Sequence, residues 1–336
     1  MPLISVVVPA YGHKDYILSC LNSVIAQTYK DIEIIVVNDG SPDDTEKVLQ
    51  PLISEGIIRY ISQANSGAAA ARNTGISAAK GDFIALIDDD DIWPQTKLAT
   101  QLALFEALPQ AVMVYGAIDF IDGEGKPYPL TDVRGLPRSL PCDSPDNPGP
   151  SGSVYLEFTD INYITSPGQT LIRKSALDSL NAPPFDTEIW GADDWDLWLR
   201  LADIGDFIYS PEVSLHYRFH TSNASKNEIK LHLSIIRMFK KHLSRSKNNP
   251  DRFALLKLAN ATLLDRTYVH FFHLAWWDYH RVAYHRSSKR NLINSLRVLA
   301  IIFRVHPKGC MKRKYFFLIK SIFLVAFGLP GRKIGP

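Results

Sequence analysis

Phe83-Ile84-Ala85-Leu86-Ile87-Asp88-Asp89-Asp90-Asp91-Ile92-Trp93 runs from five apolar residues straight into four carboxylates. A short apolar run bounded by polar residues reads as a buried strand, so the acids stand where that strand surfaces. Adjacent carboxylates repel unless a cation neutralises them. Hard divalent ions such as Mg²⁺ or Mn²⁺ prefer carboxylate oxygens and share their sites with phosphates. The strand end therefore reads as the seat of a metal ion that holds a diphosphate. The competing explanation is a turn into a helix, with Asp91-Ile92-Trp93-Pro94 as its capped start. That accounts for Asp91 but poorly for Asp88, Asp89 and Asp90. In extended backbone, residues i and i+2 face the same way. Asp88 and Asp90 would then share the ion, with Asp89 turned away and Asp91 opening the next helix.

Outward from this stretch the pattern alternates. Apolar runs at Ile4–Val8, Ile32–Val37, Ile57–Ile61, Phe83–Ile87 and Ala111–Tyr115 read as strands. Helical stretches lie between them, at about Asp15–Gln27, Asp44–Ser54, Ala68–Ala79 and Gln95–Ala107. Continuous apolar runs imply strands covered on both faces, and strand–helix alternation implies right-handed crossovers and a parallel sheet. The class is α/β. Ligands in such sheets bind at the carboxyl ends of the strands. Polar residues gather at those ends: Pro9-Ala10-Tyr11, Asn38-Asp39-Gly40-Ser41, Gln63 to Gly67, and Asp88 to Asp91.

Residues 122–152 are rich in Gly, Pro, Asp and Ser and read as a long loop. A strand at Gln169–Ile172, helices at Lys174–Leu180 and Asp194–Ala202, and two strands at Asp206–Tyr209 and Val213–Phe219 follow. Beyond Ser225 the chain reads as helices, at Leu231–Leu243, Arg252–Arg286 and Asn291–Val305. Last comes Tyr315–Leu329, 15 residues flanked by Lys312-Arg313-Lys314 and Arg332-Lys333. It is shorter than the ~20 residues needed to span a bilayer. A basic-flanked apolar helix of this size suits a membrane interface, and a buried packing helix is the alternative.

The 336 residues, 46% hydrophobic and 21% charged, are enough for one large or two ordinary domains. A net charge of +2 points to neither nucleic acid nor a strongly acidic partner. Cys20, Cys142 and Cys310 give neither a disulfide framework nor a zinc spacing, which suits a reducing compartment. Pro9 cuts the first apolar run short and no basic segment precedes it, so it reads as a strand rather than a leader. The expected location is cytoplasmic, peripheral at the cytoplasmic face of the membrane.

Other candidates carry chemistry. Asp39 can accept a hydrogen bond from a base N–H or a ribose hydroxyl, or simply hold an Asx-turn. In Asn65-Ser66-Gly67-Ala68-Ala69-Ala70-Ala71-Arg72, the alanines make a thin helix face and Arg72 can pair with phosphate or a base edge. A plain packing helix explains that stretch equally. Asp193 and Asp194 fall at a helix start, where the dipole favours carboxylates, and either can serve as a general base. His220 is a candidate metal or phosphate ligand. Neither a Gly-x-Gly-x-x-Gly after the first strand nor a Walker lysine loop is present, which disfavours dinucleotide cofactors and P-loop chemistry. The sequence also has no Gly-x-Ser-x-Gly elbow.

Five motifs in order resemble the inverting family 2 glycosyltransferases of the GT-A fold. They are Val6-Val7-Val8-Pro9-Ala10-Tyr11, Ile34 to Ser41, Asn65-Ser66-Gly67 to Gly75, Asp88 to Trp93, and Asp193-Asp194-Trp195-Asp196-Leu197-Trp198-Leu199-Arg200. The likeness spans roughly residues 3–225. It implies a Rossmann-like, mostly parallel sheet flanked by helices. Residues 1–117 would form a nucleotide-sugar half and 118–225 an acceptor half, with a helical C-terminal extension, 226–336, outside the resemblance. It further implies that Pro9, Ala10, Tyr11, Asp39, Asn65, Gly67, Arg72, Asp88 and Asp89 bind a nucleotide-diphosphate sugar. Asp88, Asp90 and His220 would hold Mn²⁺ or Mg²⁺, and Asp194, or its neighbour Asp193, would be the catalytic base. Asp193 stands where the family usually has Glu, and Asp89 where the metal motif usually has a small residue. An Asp39 contact suits uracil or thymine N3–H and also guanine N1–H; a UDP-sugar is the default donor, and a saccharide or lipid-linked saccharide the acceptor.

Two rivals remain at this stage. A sugar-nucleotide nucleotidyltransferase would also use Asp-held Mg²⁺, but Ala10-Tyr11-Gly12-His13-Lys14 is a poor match to the Gly-rich triphosphate loop it needs. A non-catalytic, membrane-attached nucleotide-sugar-binding protein would not need Asp88, Asp90 and Asp194 all intact.

Overall fold

The structure, a computed structural model, describes residues 1–128, 148–220, 228–281 and 299. The expected helix at Tyr315–Leu329, nearly all of Asn291–Val305 and most of the Pro-rich loop lie outside these. The chain divides into two compact units, Met1–Ala224 and Ser225–Pro336. Among the described residues, no helix is long and apolar enough to cross a membrane.

The first unit is an α/β layer structure. In chain order its strands are β1 (Ile4–Ala10), β2 (Ile32–Asn38), β3 (Arg59–Ser62), β4 (Phe83–Leu86), β5 (Met113–Ile121), β6 (Thr170–Arg173) and β7 (Phe207–Arg218). Its helices are α1 (Ile17–Ile25), α2 (Thr45–Ser54), α3 (Ala68–Ala78), α4 (Lys97–Ala107), α5 (Tyr155–Asp160), α6 (Lys174–Asp178) and α7 (Asp193–Ala202). One seven-stranded sheet has the order β3-β2-β1-β4-β6-β5-β7. Strands β1 to β4 are mutually parallel, as the alternation requires. Strand β6 then inserts antiparallel between β4 and β5, and β7 pairs parallel with β5. The sheet is therefore mostly, not wholly, parallel.

The two strands expected at Asp206–Tyr209 and Val213–Phe219 are one strand, β7. Its register against β5 shifts around Gly116 and Ala117, opposite Ser210 to Leu215. Pro211 lies in that irregular stretch, where a residue without an N–H is tolerated and where bulges bend a strand. Helix α5 and the 3₁₀ turn Pro167–Gln169 had no clear periodic signal in the sequence.

The central strands are covered on both faces. Ile4, Val6 and Val8 of β1 join Ile17, Cys20, Leu21 and Val24 of α1 in one buried cluster. Val7 points the other way, to α3. A Cβ built on Gly75 of α3 would lie 2.3 Å from Val7 Cγ1 and 3.3 Å from Val37 Cγ2. Gly75 therefore lets α3 sit close on the sheet, as packing requires, whereas the solvated arginine that a plain packing helix would carry is not seen, since Arg72 is buried. Gly75→Ala gains about 1 kcal/mol of helix propensity but overpacks against β-branched Val7, which costs about 1–3 kcal/mol. The expected outcome is a net loss, read as a lower urea midpoint at unchanged slope. An unchanged or raised midpoint would show that Val7 can give way.

The second unit contains α8 (Glu228–Arg245) and α9 (Pro250–Arg281), which pack on each other.

Candidate active site

The carboxyl ends of β1, β2 and β4 and the start of α3 meet at one edge of the sheet. After β4 the backbone turns instead of staying extended, with the Asp91 N–H donating to the Asp88 carbonyl at 3.1 Å. The alternation of faces assumed for Asp88 and Asp90 therefore does not apply, and the four carboxylates point in different directions.

Asp88 accepts from Arg72 Nη2 at 2.6 Å. Asp89 is buried and turns back to the β1 loop. It accepts the Tyr11 N–H at 2.9 Å on one oxygen and meets His13 Nδ1 at 2.8 Å on the other. Asp90 faces His220, whose Nε2 lies 2.8 Å from Oδ2. Asp91 is fully buried and accepts the Arg218 N–H at 2.9 Å. It does not open the next helix: α4 begins at Lys97 with Thr96 as its cap residue.

The bent strand β7 delivers His220 to this turn. Ile92 and His216 exchange backbone hydrogen bonds at 3.2 and 2.9 Å. Arg218 adds a bond from Nε to the Asp90 carbonyl at 2.7 Å. His13, Asp90 and His220 each bring one ligand atom within 4.8 Å of the others. Two imidazoles and a carboxylate are a chemically suitable donor set for a divalent cation. The Asp89 hydrogen bond and the surrounding carboxylates raise His13 from 6.5 to about 9. Sequence reasoning missed His13. The available signal was its place in the loop that follows β1, one of the strand ends where ligands gather.

Asp39 is buried and reaches across to the next strand connection. One oxygen accepts from Gln63 Nε2 and the Ser66 N–H, and the other from the Gly67 N–H, each at 2.8 Å. The turn at 38–41 is held instead by Asn38, which accepts the Ser41 N–H at 2.8 Å. Pro9 and Ala10 are buried at the end of β1, whereas Tyr11 is 48% exposed and Asn65 and Gly67 lie at the surface. Gly67 opens α3 at φ +88°, a conformation that favours glycine.

Arg72, on α3, is 8% exposed and spans two acidic groups. It reaches Asp88 on one side and Asp193 on the other, Nη1 to Oδ2 at 3.3 Å. It is thus engaged by protein carboxylates on both sides. Asn73 fastens the segment before α7 through a pair of bonds with Phe185, 2.7 Å to its carbonyl and 2.9 Å from its N–H.

Helix α7 starts with both candidate bases. Asp193 is 7% exposed and engaged, by Arg72 and by the Gly191 N–H at 3.0 Å. Asp194 is half-buried and accepts the Trp195 N–H at 2.6 Å on Oδ1. Burial, and then the Asp193 charge, raise its carboxyl to about 7. A carboxylate poised near neutrality is suited to take up a proton at working pH.

Residues 5–180 match the family described as Glycosyl transferase family 2. The chain belongs to this family. It is a glycosyltransferase of GT-A fold. Among similar proteins, an uncharacterized glycosyltransferase of Rickettsia prowazekii is 29% identical over 251 residues, 73% of this chain and 74% of that one. The UDP-Glc:alpha-D-GlcNAc-diphosphoundecaprenol beta-1,3-glucosyltransferase WfaP of Escherichia coli is 29% identical over 231 residues, 68% of this chain and 82% of that one. S. aureus TarS 1–349 in complex with UDP-GlcNAc superimposes with a TM-score of 0.63 at 15% identity, covering 98% of this chain and 93% of that one. The mannosyltransferase PcManGT of Pyrobaculum calidifontis, in complex with GDP-Man and Mn²⁺, gives 0.55 at 17% identity, covering 97% and 86%. Within the family 2 frame, the two acidic clusters at Asp88 and Asp193 are joined through one guanidinium.

Proposed function

We propose that this family 2 enzyme is an inverting glycosyltransferase that moves a sugar from a nucleotide-diphosphate donor to a saccharide or lipid-linked saccharide acceptor. The observation that carries this reading is Asp194, a half-buried carboxylate held near neutrality and tied through Asp193 and Arg72 to the acidic turn after β4. In the reaction, Asp194 takes the proton of the acceptor hydroxyl. That oxygen attacks the anomeric carbon as the bond to the diphosphate oxygen breaks on the opposite face, in one displacement that inverts the centre. Asp90 and His220 would hold a divalent ion, whose charge would screen that of the departing diphosphate. Asp39 uses three of its roughly four lone-pair sites on protein donors, which leaves one for a base N–H. Tyr11, which follows the Ala10 whose carbonyl accepts the Asp39 N–H, offers an exposed ring.

UDP-sugars are the favoured donors. The names of WfaP and the TarS complex support a uridine nucleotide, and that of WfaP supports a lipid-linked acceptor. Thermal-shift measurements with UDP-, dTDP- and GDP-sugars, with and without Mn²⁺, test the donor site. A ligand at 100 times its Kd stabilises by about 2.7 kcal/mol, so a metal-dependent rise in Tm with one nucleotide class is expected. The donor-site assignment is lost if no sugar nucleotide gives a metal-dependent shift.

A further inference from the structure

We infer that His13 is a third protein ligand to the cation at Asp90 and His220, oriented by Asp89, and that this donor set selects a transition-metal ion such as Mn²⁺ over Mg²⁺. The inference deepens the proposed donor site and rests on it for the place of the ion.

Asp89 is only 5% exposed, and each of its oxygens has a partner: the Tyr11 N–H at 2.9 Å and His13 Nδ1 at 2.8 Å. An ionised carboxylate can only accept. Nδ1, itself 3.9 Å from Asp90 Oδ2, therefore carries the hydrogen, and Nε2 is the nitrogen that would offer a lone pair to the cation. A carboxylate that fixes the tautomer and orientation of an imidazole is the usual outer support of a metal-bound histidine. The rest of the cluster is already assembled. His13 and His220 meet edge to face with centroids 5.2 Å apart, and the Tyr16 ring lies 6.2 Å from the first and 5.2 Å from the second. Arg218, whose guanidinium lies 4.9 Å from the Tyr16 ring, fixes the Asp90 backbone.

The donor types set the selectivity. Mg²⁺ prefers oxygen ligands and gives up water reluctantly, whereas imidazole suits the later divalent ions. A site with two nitrogen donors and one carboxylate therefore favours first-row transition ions over Mg²⁺, with Mn²⁺ the most weakly held of that series, and three protein donors leave part of the ion's shell open to phosphate oxygens. The simpler alternative is that His13 only neutralises Asp89 as a permanent imidazolium. It would then repel a cation and could not ligate one.

The experiment uses the full-length protein with Mn²⁺ in the presence and absence of UDP. Pulsed electron paramagnetic resonance of the bound Mn²⁺ counts coupled imidazole nitrogens, and titration of free Mn²⁺ gives its affinity. Two coupled imidazoles are expected in the wild type and one in His13→Ala, with at least a tenfold loss of Mn²⁺ affinity. Asp89→Asn is expected to weaken binding about 10- to 100-fold, as loss of an orienting partner does. Mg²⁺ should displace Mn²⁺ only at more than a tenfold excess. One coupled imidazole in the wild type, or displacement by equimolar Mg²⁺, overturns the inference whether or not the variants fold. If UDP leaves the Mn²⁺ affinity unchanged while two imidazoles are still coupled, the inference stands and the donor-site reading falls.

Discussion

Asp194→Asn is expected to lower kcat/KM by about 10²–10⁴, the range that a positioned general base supplies, while leaving UDP-dependent stabilisation intact. The two readouts separate the roles. In the proposed site the donor would be held at the ends of β1, β2 and β4, whereas Asp194 would act only on the acceptor hydroxyl. Asn keeps the shape and can still accept the Trp195 N–H, so a fall in activity without a fall in Tm reports lost proton transfer and not lost fold. Loss of UDP stabilisation in this variant, or activity within a few-fold of wild type, would remove Asp194 from the role of base.

The pH profile gives an independent check. A base works ionised, so log(kcat/KM) should climb towards unit slope below pH about 7 and level above it, following the raised Asp194 carboxyl. The same shift acts on stability with the opposite sense. Between the ordinary value of 3.8 and about 7, the folded protein holds a proton on Asp194 that the unfolded chain has released. Stability contributed by this group therefore declines as pH rises through that window. Asp194→Asn should lose both the activity limb and that decline.

The parts of the molecule legible in the sequence are those set by neighbours in the chain. The runs at Ile4, Ile32 and Phe83 were readable as strands because each is buried on both faces by helices that follow directly. Strand β3 was harder to delimit: none of its residues is buried, and the strand begins at Arg59 rather than Ile57. The antiparallel insertion of β6 was not readable at all. Its partners β4 and β5 lie far back in the chain, and nothing local distinguishes an inserted strand from an added one. The candidate site divides in the same way. The Asp88–Asp91 run announced a site, but its geometry depends on a turn whose residues join distant elements: His13 from the loop after β1, Arg72 from α3, Arg218 from the end of β7 and His220 just beyond it. Asp91 looked like a helix start because Pro94 follows it; its true partner, the Arg218 N–H, is 127 residues away. Asp39 could be read as a turn residue or as a ligand of a base, and the turn is held by Asn38 beside it.

Arg72→Met is expected to cost about 3–5 kcal/mol, the usual loss when one member of a buried ion pair is removed, from a total that for domains is typically about 5–15 kcal/mol. The guanidinium is the only cation that bridges Asp88 and Asp193 among the described residues, and Asp193 is almost wholly buried. Without Arg72, Asp193 must either keep an uncompensated charge or take up a proton. Arg72→Lys should rescue only part of the loss, because a single ammonium cannot repeat a planar fork that bonds two carboxylates at once. The bridge has a second consequence. It fixes the first turn of α7 against the turn after β4, so its loss would let the proposed base drift relative to the proposed donor site, and a displacement of about 1 Å can cost about 10²-fold in rate. A double-mutant cycle separates pairing from general disruption. Asp193→Asn alone leaves Arg72 on Asp88, and the pair Arg72→Met/Asp193→Asn removes both buried charges together. If the bridge is real, the double variant is less destabilised than the sum of the singles by about 0.5–3 kcal/mol. Urea midpoints at constant slope measure this, and strictly additive losses would mean that Arg72 and Asp193 do not depend on each other. Recovery of stability without recovery of kcat in the double variant would then show that what the guanidinium supplies to transfer is the placement of α7, beyond the neutralisation of its acids.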